Sequence, residues 1–210
     1  MSDPLFILGA GGHAKVVADT LLEAGAEIQA FVDQNSDTSV GPIFGIAVIG
    51  DERAVLDLEP GEIRLCNGVG FVGADTRRRD VYDLFAGKGY VFEQAVHPSA
   101  IIGRDVTVGD GVQIFAGAVV QSGASVGANT IINTRASVDH DCVIGSHAHI
   151  APGAVLGGGV TVGDGTHIGA GATIIQNIKI GAGALVAAGA TVVSNVEPGR
   201  RVAGVPARNM

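Results

Sequence analysis

The chain has 210 residues, enough for one large or two small domains, and carries a net charge of −8 with 47% hydrophobic residues. Its one basic run, Arg77, Arg78 and Arg79, lies in an acidic region, which argues against nucleic acid as a partner. Two isolated cysteines, Cys66 and Cys142, are too few for a disulfide framework or a zinc knuckle.

The beginning of the chain carries no targeting or membrane-spanning pattern. Only four apolar residues, 5–8, precede Gly9, and this run is too short for a signal-peptide core or a bilayer span. The cytoplasm is therefore the expected location.

A βαβ unit is predicted next. Residues 5–8 suit a buried strand, residues 9–14 a glycine-rich turn, and residues from about 13 to 24 a helix. A second apolar run ends at Asp33. The pattern G-x-G-x-x-[G/A], with an acidic residue after the next strand, is typical of a Rossmann domain, where it holds a pyrophosphate and a ribose hydroxyl.

A nucleotide is the ligand that this pattern favours. NAD is the common one, but a domain of about ninety residues lacks the second mononucleotide half, so a nucleotide sugar fits better. A turn kept glycine-rich only for tight packing is the alternative. Further strands are predicted over 63–67 and 89–93, with a helix over about 76–86. Gly70 follows the first of these strands and should open on the same sheet edge as Gly11.

From Ile102 to Val192 an aliphatic residue falls at every sixth position without a gap. This period indicates a solenoid, and three hexads close a coil of eighteen residues whose neighbours stack at about 4.8 Å. The fourth residue after each aliphatic is usually small, so Cys142, at such a position, is predicted to lie in the core. Gly, Asn and Asp are frequent between these positions and suit left-handed corners.

The domain assignment follows from these patterns. Residues 1–95 are assigned to a Rossmann-like nucleotide-sugar domain, 96–198 to a β-helix and 199–210 to a C-terminal tail.

Four histidines lie in the repeat. His140 is at a corner between Asp139 and Asp141, and carboxylates beside an exposed imidazole raise its pKa and fit it for general base catalysis. His149 and His167 are eighteen residues apart and should stack on one outward face. One alternative is that the corner histidine has no function, and another is that the histidines belong to a zinc site shared between chains.

Four features occur together in the chain. They are the turn Gly-Ala-Gly-Gly-His over 9–13, the hexapeptide prism, Asn133-Thr134 ahead of the Asp-His-Asp run at 139–141, and the closing Val-Ala-Gly-Val-Pro-Ala-Arg over 202–208. Together they resemble the bacterial nucleotide-sugar acetyltransferases, which include the N-acetyltransferases of bacillosamine-type and perosamine-type 4-amino sugars. The sialic acid O-acetyltransferases are related to them.

The resemblance implies a left-handed parallel β-helix, a handedness that spacing alone does not reveal. It also implies a homotrimer with active sites between neighbouring prisms, acetyl-CoA as the cosubstrate and no metal.

The resemblance also assigns site residues. The catalytic histidine falls on His140 and its acidic partner on Asp141, whereas Asp139 has no counterpart that we can place. The remaining assignments are nucleotide-sugar contacts at Gly11, Gly12, His13, Asp33 and Gln34, an acceptor-site polar residue at Asn133, and acetyl-CoA contacts at His149, Ala170 and Ala188.

One further residue follows from the eighteen-residue coil. Gly158 should lie directly beneath His140, without a side chain to block a thioester, and its amide is a candidate oxyanion donor. The predicted function is N-acetylation of a nucleotide-linked 4-amino-4,6-dideoxysugar, of the UDP-bacillosamine-precursor or GDP-perosamine type. A sugar O-acetyltransferase and a non-catalytic trimeric nucleotide-sugar-binding module are the alternatives.

Overall fold

The computed structural model describes residues 3–33, 41–71 and 75–210. These residues form two compact units, one made of 3–33, 41–71 and 75–95 and the other of Val96–Met210. The predicted fold class is confirmed, because an α/β unit with a parallel sheet precedes a parallel β-helix of hexapeptide repeats. Within the described ranges, no helix combines the length and the apolar composition that crossing a bilayer requires.

The first unit is a five-stranded parallel sheet with three α-helices and a short 3-10 helix at Pro60–Glu62. Its elements in chain order are β1 (Leu5–Leu8), α1 (Gly12–Glu23), β2 (Ile28–Val32), β3 (Val48–Ile49), α2 (Arg53–Leu56), β4 (Arg64–Asn67), α3 (Arg77–Ala86) and β5 (Val91–Phe92). The strand order is β3-β2-β1-β4-β5. Strand order therefore reverses at β1, and ligands of such sheets bind at the carboxyl ends of the strands beside this reversal.

The elements predicted for this unit lie within about two residues of the observed ones, as boundaries of such predictions usually do. β1 is buried along its whole length, as a parallel strand covered on both faces should be. Strand β3 and helix α2 were not predicted, because two and four residues are too short to carry a hydrophobic period.

The second unit is a three-sided prism of two-residue strands. Face one contains β7 (Ile101–Ile102), β10 (Val119–Val120), β13 (Ser137–Val138), β16 (Val155–Leu156), β19 (Thr173–Ile174) and β22 (Thr191–Val192). Face two contains β8 (Thr107–Val108), β11 (Ser125–Val126), β14 (Val143–Ile144), β17 (Thr161–Val162) and β20 (Lys179–Ile180).

Face three contains eight strands, including two from the residues assigned to the tail. They are β6 (Ala95–Val96), β9 (Gln113–Ile114), β12 (Ile131–Ile132), β15 (His149–Ile150), β18 (His167–Ile168), β21 (Leu185–Val186), β23 (Arg201–Ala203) and β24 (Arg208–Asn209). β23 pairs in parallel with β21, and β24 turns back antiparallel to β23. The closing segment is therefore part of the prism's hydrogen-bonded wall.

Residues eighteen apart pair throughout the prism, as the repeat predicts. Val138 is in register with Val120 on one side and with Leu156 on the other. The predicted aliphatic positions are buried from Ile114 onward, whereas Ile102 is 39% exposed and Val108 is half-buried. These two lie in β7 and β8, the end strands of their sheets, where no earlier coil covers them.

The corners repeat as strictly as the strands. Every sixth residue from Asp105 to Gly189 has a positive φ; nine of the fifteen are glycine and the others are Asp105, Asn129, Arg135, Asp141, His147 and Asn177. Left-handed backbone favours Gly, Asn and Asp because other side chains crowd the following carbonyl. Asp141 therefore occupies a corner with left-handed backbone, a conformation that aspartate tolerates.

Val138→Asp tests the packing of the prism. Val138 is fully buried in the middle of face one, so the variant loses apolar burial and gains a buried carboxyl group. We expect the free energy of unfolding to fall by about 3 kcal/mol or more, measured by urea denaturation followed by circular dichroism. Ser137→Asp, which points outward from the same strand, is the control and should change it by less than about 1 kcal/mol. Equal losses in both variants would contradict the inward assignment.

Candidate active site

A histidine–carboxylate pair lies at the edge between faces one and two, where the chain passes from β13 to β14. The Nδ1 of His140 is 2.8 Å from Oδ2 of Asp141, and the two side chains are 64% and 73% exposed. The carboxylate accepts a hydrogen bond from Nδ1–H, so Nε2 keeps its lone pair in the neutral ring. The hydrogen bond to Asp141 and the charge of Asp139 raise the pKa of His140 above its usual 6.5.

Asp139 has a structural role that the sequence did not reveal. Its Oδ1 accepts a hydrogen bond from the backbone amide of His140 at 2.7 Å. One carboxylate therefore holds the backbone of the histidine, while the carboxylate of Asp141 holds the ring. This arrangement resolves which of the two acids orients the imidazole.

Two glycines in the adjacent coils leave space for the pair. A Cβ at Gly158 would lie 2.5 Å from Nε2 of His140, and a Cβ at Gly123 would lie 2.7 Å from Oδ1 of Asp141. The imidazole therefore extends over Gly158 toward the C-terminal end of the prism, and the carboxylate extends over Gly123 toward the N-terminal end. Sequence reasoning identified Gly158 but not Gly123, although Gly123 precedes Asp141 by one eighteen-residue period.

The backbone around Gly158 leaves one donor available. Its carbonyl accepts from the Asn177 amide at 2.9 Å, and the Gly159 amide donates to the His140 carbonyl at 2.9 Å. Among the described residues, no acceptor is bonded to the Gly158 amide itself. This amide belongs to the glycine over which the imidazole extends, and a backbone N–H of this kind can stabilise an oxyanion.

A second group of predicted residues lies at a different edge, between faces three and one. The side-chain amide nitrogen of Asn133 is 3.0 Å from Nε2 of His149. The predicted stacking of His149 on His167 is confirmed, since the rings meet edge to face with centroids 5.0 Å apart. Burial lowers the pKa of His167, and His149 is only 8% exposed although it points outward.

Ala170 and Ala188 follow the same edge and are both exposed. They stack eighteen apart, and the amide of Gly189 donates to the Ala170 carbonyl at 2.8 Å. Because the His140 corner joins faces one and two, a single chain does not bring Ala170, Ala188 and His149 together with His140.

Cys142 is buried in the prism core, as predicted. Burial raises the pKa of its thiol, and its sulfur donates a hydrogen bond to the Gly157 carbonyl at 3.3 Å. A buried, protonated thiol is a poor nucleophile. Across the described ranges, no three His, Cys, Asp or Glu side chains come close enough to hold a metal ion.

The glycine-rich turn of the first unit joins β1 to α1. Gly9 has a φ of +101°, and Oδ2 of Asp33 accepts from the Ala10 amide at 2.9 Å. A Cβ at Gly11 or Gly12 would meet no described atom within 4 Å, so packing does not explain these two glycines. Open space at a helix N-terminus fits the approach of a phosphate group. Gln34, the other nucleotide contact predicted here, lies outside the described residues.

The turn after β4 meets the first turn, as predicted. A Cβ at Gly70 would lie 3.3 Å from Cβ of His13, and Gly68 is enclosed so tightly that its Cβ would be 2.7 Å from Ile7. Arg78, 3% exposed, donates from Nη1 to the Val69 carbonyl at 2.7 Å, and the same nitrogen is 3.5 Å from Nε2 of His13.

Arg78 was not predicted as a site residue. Three consecutive arginines suggest a solvated helix face, yet burial lowers the pKa of the middle one to about 9. Its contacts link α3 to the turn that carries Gly70. A cavity of about 310 Å³ at this end of the sheet is lined by Gly9, Asp33, Arg53 and Arg77 among others.

Comparisons with known proteins agree with both units. Residues 4–83 match the family described as the PglD N-terminal domain, and residues 123–158 and 159–194 match the bacterial transferase hexapeptide family. No match to a curated protein sequence was found.

Solved structures that cover the whole chain include the following three. A histidine-to-alanine variant of GDP-perosamine N-acetyltransferase from Caulobacter crescentus, in complex with CoA and GDP-perosamine, is 34% identical over 100% of this chain and 98% of its own, with a TM-score of 0.91. The acetyltransferase domain of PglB from Neisseria gonorrhoeae, in complex with acetyl coenzyme A, is 35% identical over 100% of both chains, with a TM-score of 0.91. WeeI from Acinetobacter baumannii is 25% identical over 100% of both chains, with a TM-score of 0.87.

The comparisons and the geometry support the same family. Two of these structures are more than 30% identical to the chain over its full length, so the similarity covers both units. The hexapeptide prism also carries an exposed histidine–carboxylate pair at its edge. The chain therefore belongs to the hexapeptide-repeat family of bacterial nucleotide-sugar acetyltransferases.

Proposed function

We propose that the protein transfers the acetyl group of acetyl-CoA to the 4-amino group of a nucleotide-linked 4-amino-4,6-dideoxysugar. The observation that carries this proposal is the exposed His140–Asp141 pair, whose Nε2 faces the glycine of the next coil. The relatives that bind CoA with GDP-perosamine, or acetyl-CoA, support the two substrates.

The reaction is a direct attack of the amine on the thioester carbonyl carbon. Nε2 of His140 takes one proton from the attacking nitrogen, while Asp141 stabilises the imidazolium through Nδ1–H. The tetrahedral intermediate then breaks its carbon–sulfur bond, and the imidazolium returns the proton to the leaving thiolate. The products are the N-acetyl sugar and free CoA, and no acyl-enzyme forms.

Stabilisation of the developing oxyanion is assigned to the Gly158 amide. The imidazole extends over Gly158, whose amide is bonded to no acceptor among the described residues, and a backbone donor needs no reorganisation as charge develops. Most of the acceleration then comes from holding both substrates in attack geometry, since orientation is worth more than proton transfer alone.

The first unit binds the nucleotide part of the acceptor. Gly11 and Gly12 present an open helix N-terminus for the phosphates, and His13, Gly70 and Asp33 surround the same edge of the sheet. The nucleotide contact predicted for Gln34 remains part of this proposal.

The active form is a homotrimer with each site between two prisms. The edge that carries His140 and the edge that carries Asn133, His149, Ala170 and Ala188 are different edges of one prism. Placing the edge of one copy against the other edge of a second copy completes the set, with the second copy contacting acetyl-CoA. A trimeric mass in sedimentation equilibrium supports this arrangement, and a monomer with full activity would contradict it.

His140→Ala removes the proposed base. We expect kcat to fall by about 10²–10⁴-fold with UDP-, GDP- or dTDP-linked 4-amino sugars, whichever the enzyme accepts, because proton removal from the amine is lost. Thiol release measures the rate, and circular dichroism checks the fold. His147→Asn is a matched control at another corner, where asparagine suits the left-handed backbone, and it should retain activity. Unchanged turnover in His140→Ala would reject the base assignment.

The pH dependence of kcat/KM follows from the carboxylates. The neutral imidazole is the active form, so the rate falls as the pH drops through the raised pKa of His140, with a midpoint above 6.5. Asp141→Asn removes the larger cause and should move this midpoint to lower pH and reduce kcat. Asp139→Asn keeps an oxygen acceptor for the His140 amide and should lower the midpoint with little loss of kcat. Identical pH profiles in all three proteins would contradict this account.

Gly158→Ala separates two roles of that glycine. The new Cβ would lie 2.5 Å from Nε2 of His140, so the ring must move, and we expect turnover to fall by about 10²-fold. If the substitution acts through the ring, it should have no further effect in the His140→Ala background. A full additional loss in that background would mean that the alanine blocks the thioester or disturbs the Gly158 amide instead.

A further inference from the structure

The side chain of Arg78 contacts both turns that meet at the carboxyl edge of the sheet in the first unit. Its Nη1 donates to the Val69 carbonyl at 2.7 Å and to the Asn67 carbonyl at 3.1 Å. The same nitrogen lies 3.5 Å from Nε2 of His13. Because the residue is only 3% exposed, its guanidinium is a buried link between the turn after β4 and the first residues of α1.

Asn67 holds the guanidinium and the turn after β4 in one network. Its Nδ2 donates to the Arg78 carbonyl at 2.9 Å, and its Oδ1 accepts from the Val69 amide at 3.1 Å. The amide of Gly68 also donates to the Leu8 carbonyl at 2.8 Å. Buried polar groups that are bonded on several sides have little freedom, so the guanidinium is held at a fixed position relative to β1.

The imidazole of His13 packs against the same turn. A Cβ at Gly70 would lie 3.3 Å from Cβ and 3.7 Å from Cγ of His13, so the turn passes close to the base of the ring. The residue is half-buried, which leaves part of the side chain accessible to a ligand. It follows Gly11 and Gly12 directly, where open space at the N-terminus of α1 fits a phosphate group.

The contact with Arg78 determines which nitrogen of His13 carries the ring proton. A guanidinium has hydrogen-bond donors and no acceptor. A proton on Nε2 would therefore place two N–H groups 3.5 Å apart with one of them charged, whereas a lone pair on Nε2 is attracted to the positive charge. The proton of the neutral ring is then on Nδ1. A second proton would have to bind Nε2, and the guanidinium opposes it.

The other charged and titratable groups around the imidazole of His13 do not reverse this effect. Asp33 acts in the opposite direction, but one of its carboxylate oxygens already accepts from a backbone amide of the first turn. Lys15 is two positions further along α1, and such positions do not face each other. Cys66, on β4, is a buried thiol near the guanidinium. Burial lowers the pKa of Arg78 to about 9, so its guanidinium is still charged at neutral pH.

We propose that Arg78 is a positioning residue that keeps His13 neutral, with the proton on Nδ1 as a fixed hydrogen-bond donor to the phosphates of the nucleotide sugar. The inference rests on the proposed function for the identity of the ligand. Arg78 acts through His13 and does not contact the substrate, although its buried charge also attracts the phosphates. Binding of the acceptor then stays constant over the pH range in which His140 titrates.

NMR of the full chain with ¹⁵N-labelled histidine tests the position of the proton directly, and loss of a signal in His13→Gln assigns it. We expect the Nδ1–H form in the unaltered protein, without a second proton down to about pH 6. In Arg78→Gln the ring should titrate with a midpoint near the ordinary value of about 6.5. Arg79→Gln is the matched control, because it removes the same charge from the next residue, which is exposed and paired with Asp83. It should leave the His13 signals unchanged.

Isothermal titration calorimetry with UDP-, GDP- and dTDP-linked 4-amino sugars tests the consequence for binding. At about pH 7.5, Arg78→Gln should weaken binding by about tenfold relative to the unaltered protein. At about pH 5.5 the loss should shrink to about threefold, because the imidazolium that now forms attracts the phosphates. In the His13→Gln background the loss should be the same at both pH values. A role in folding alone would give equal losses at both pH values in both backgrounds.

A proton on Nε2 of His13 in the unaltered protein would overturn the inference whether or not the variants fold. If circular dichroism shows that Arg78→Gln is unfolded, Arg78→Lys replaces it, since a lysine keeps the charge and should keep the ring neutral at about pH 6. A His13 ring that titrates near 6.5 in Arg78→Lys would also overturn the inference. Acetylation together with the Nε2–H form would reject the inference alone. The Nδ1–H form in a protein that binds no nucleotide sugar would support the effect of Arg78 on His13 and reject the proposed acceptor.

Discussion

The hydrogen bonding of each coil to the next is the constraint on which the prism depends. Each strand pairs with the strand eighteen residues later, and bonds such as Val143 N–H to the Val160 carbonyl at 2.9 Å recur around every coil. A single insertion would turn the inward residues of a strand outward, because strand side chains alternate. Strict stacking also means that a side chain can extend along the prism only where the residue in the adjacent coil leaves room. Gly123 and Gly158 provide that room on the two sides of the His140–Asp141 pair.

The charges beside His140 bear on its proposed role as the base. Asp139 and Asp141 raise the pKa of the histidine between them. A base with a raised pKa accepts a proton more readily, but a larger fraction of it is already protonated at neutral pH. The two carboxylates thus make the proposed base stronger and, at the same time, reduce the fraction of it that is unprotonated at neutral pH.

Periodicity allowed much of the fold to be predicted from the sequence, because one buried aliphatic per hexad is a signal that adds up over sixteen repeats. The same period placed His140 over Gly158 and His149 beside His167. Side-chain contacts within one corner have no such period, so the bond from the His140 amide to Asp139 could not be predicted. The burial of Arg78 could not be predicted for a related reason: residue type favours exposure of an arginine, whereas its burial depends on the carbonyl groups of Asn67 and Val69, which the fold brings beside it.

Exposure of the His140–Asp141 pair bears on how the proposed site is completed. His140 and Asp141 are mostly open to water in one chain, and an exposed ion pair contributes little to stability. Two tightly fitted glycines and a second carboxylate on the His140 amide are therefore better explained by the precise placement of an imidazole than by folding. Electrostatic stabilisation of a transition state is strong only where water is largely excluded. In the proposed trimer, the walls missing from this edge come from the substrates and from a neighbouring copy of the prism, whose own edge carries Asn133 and His149.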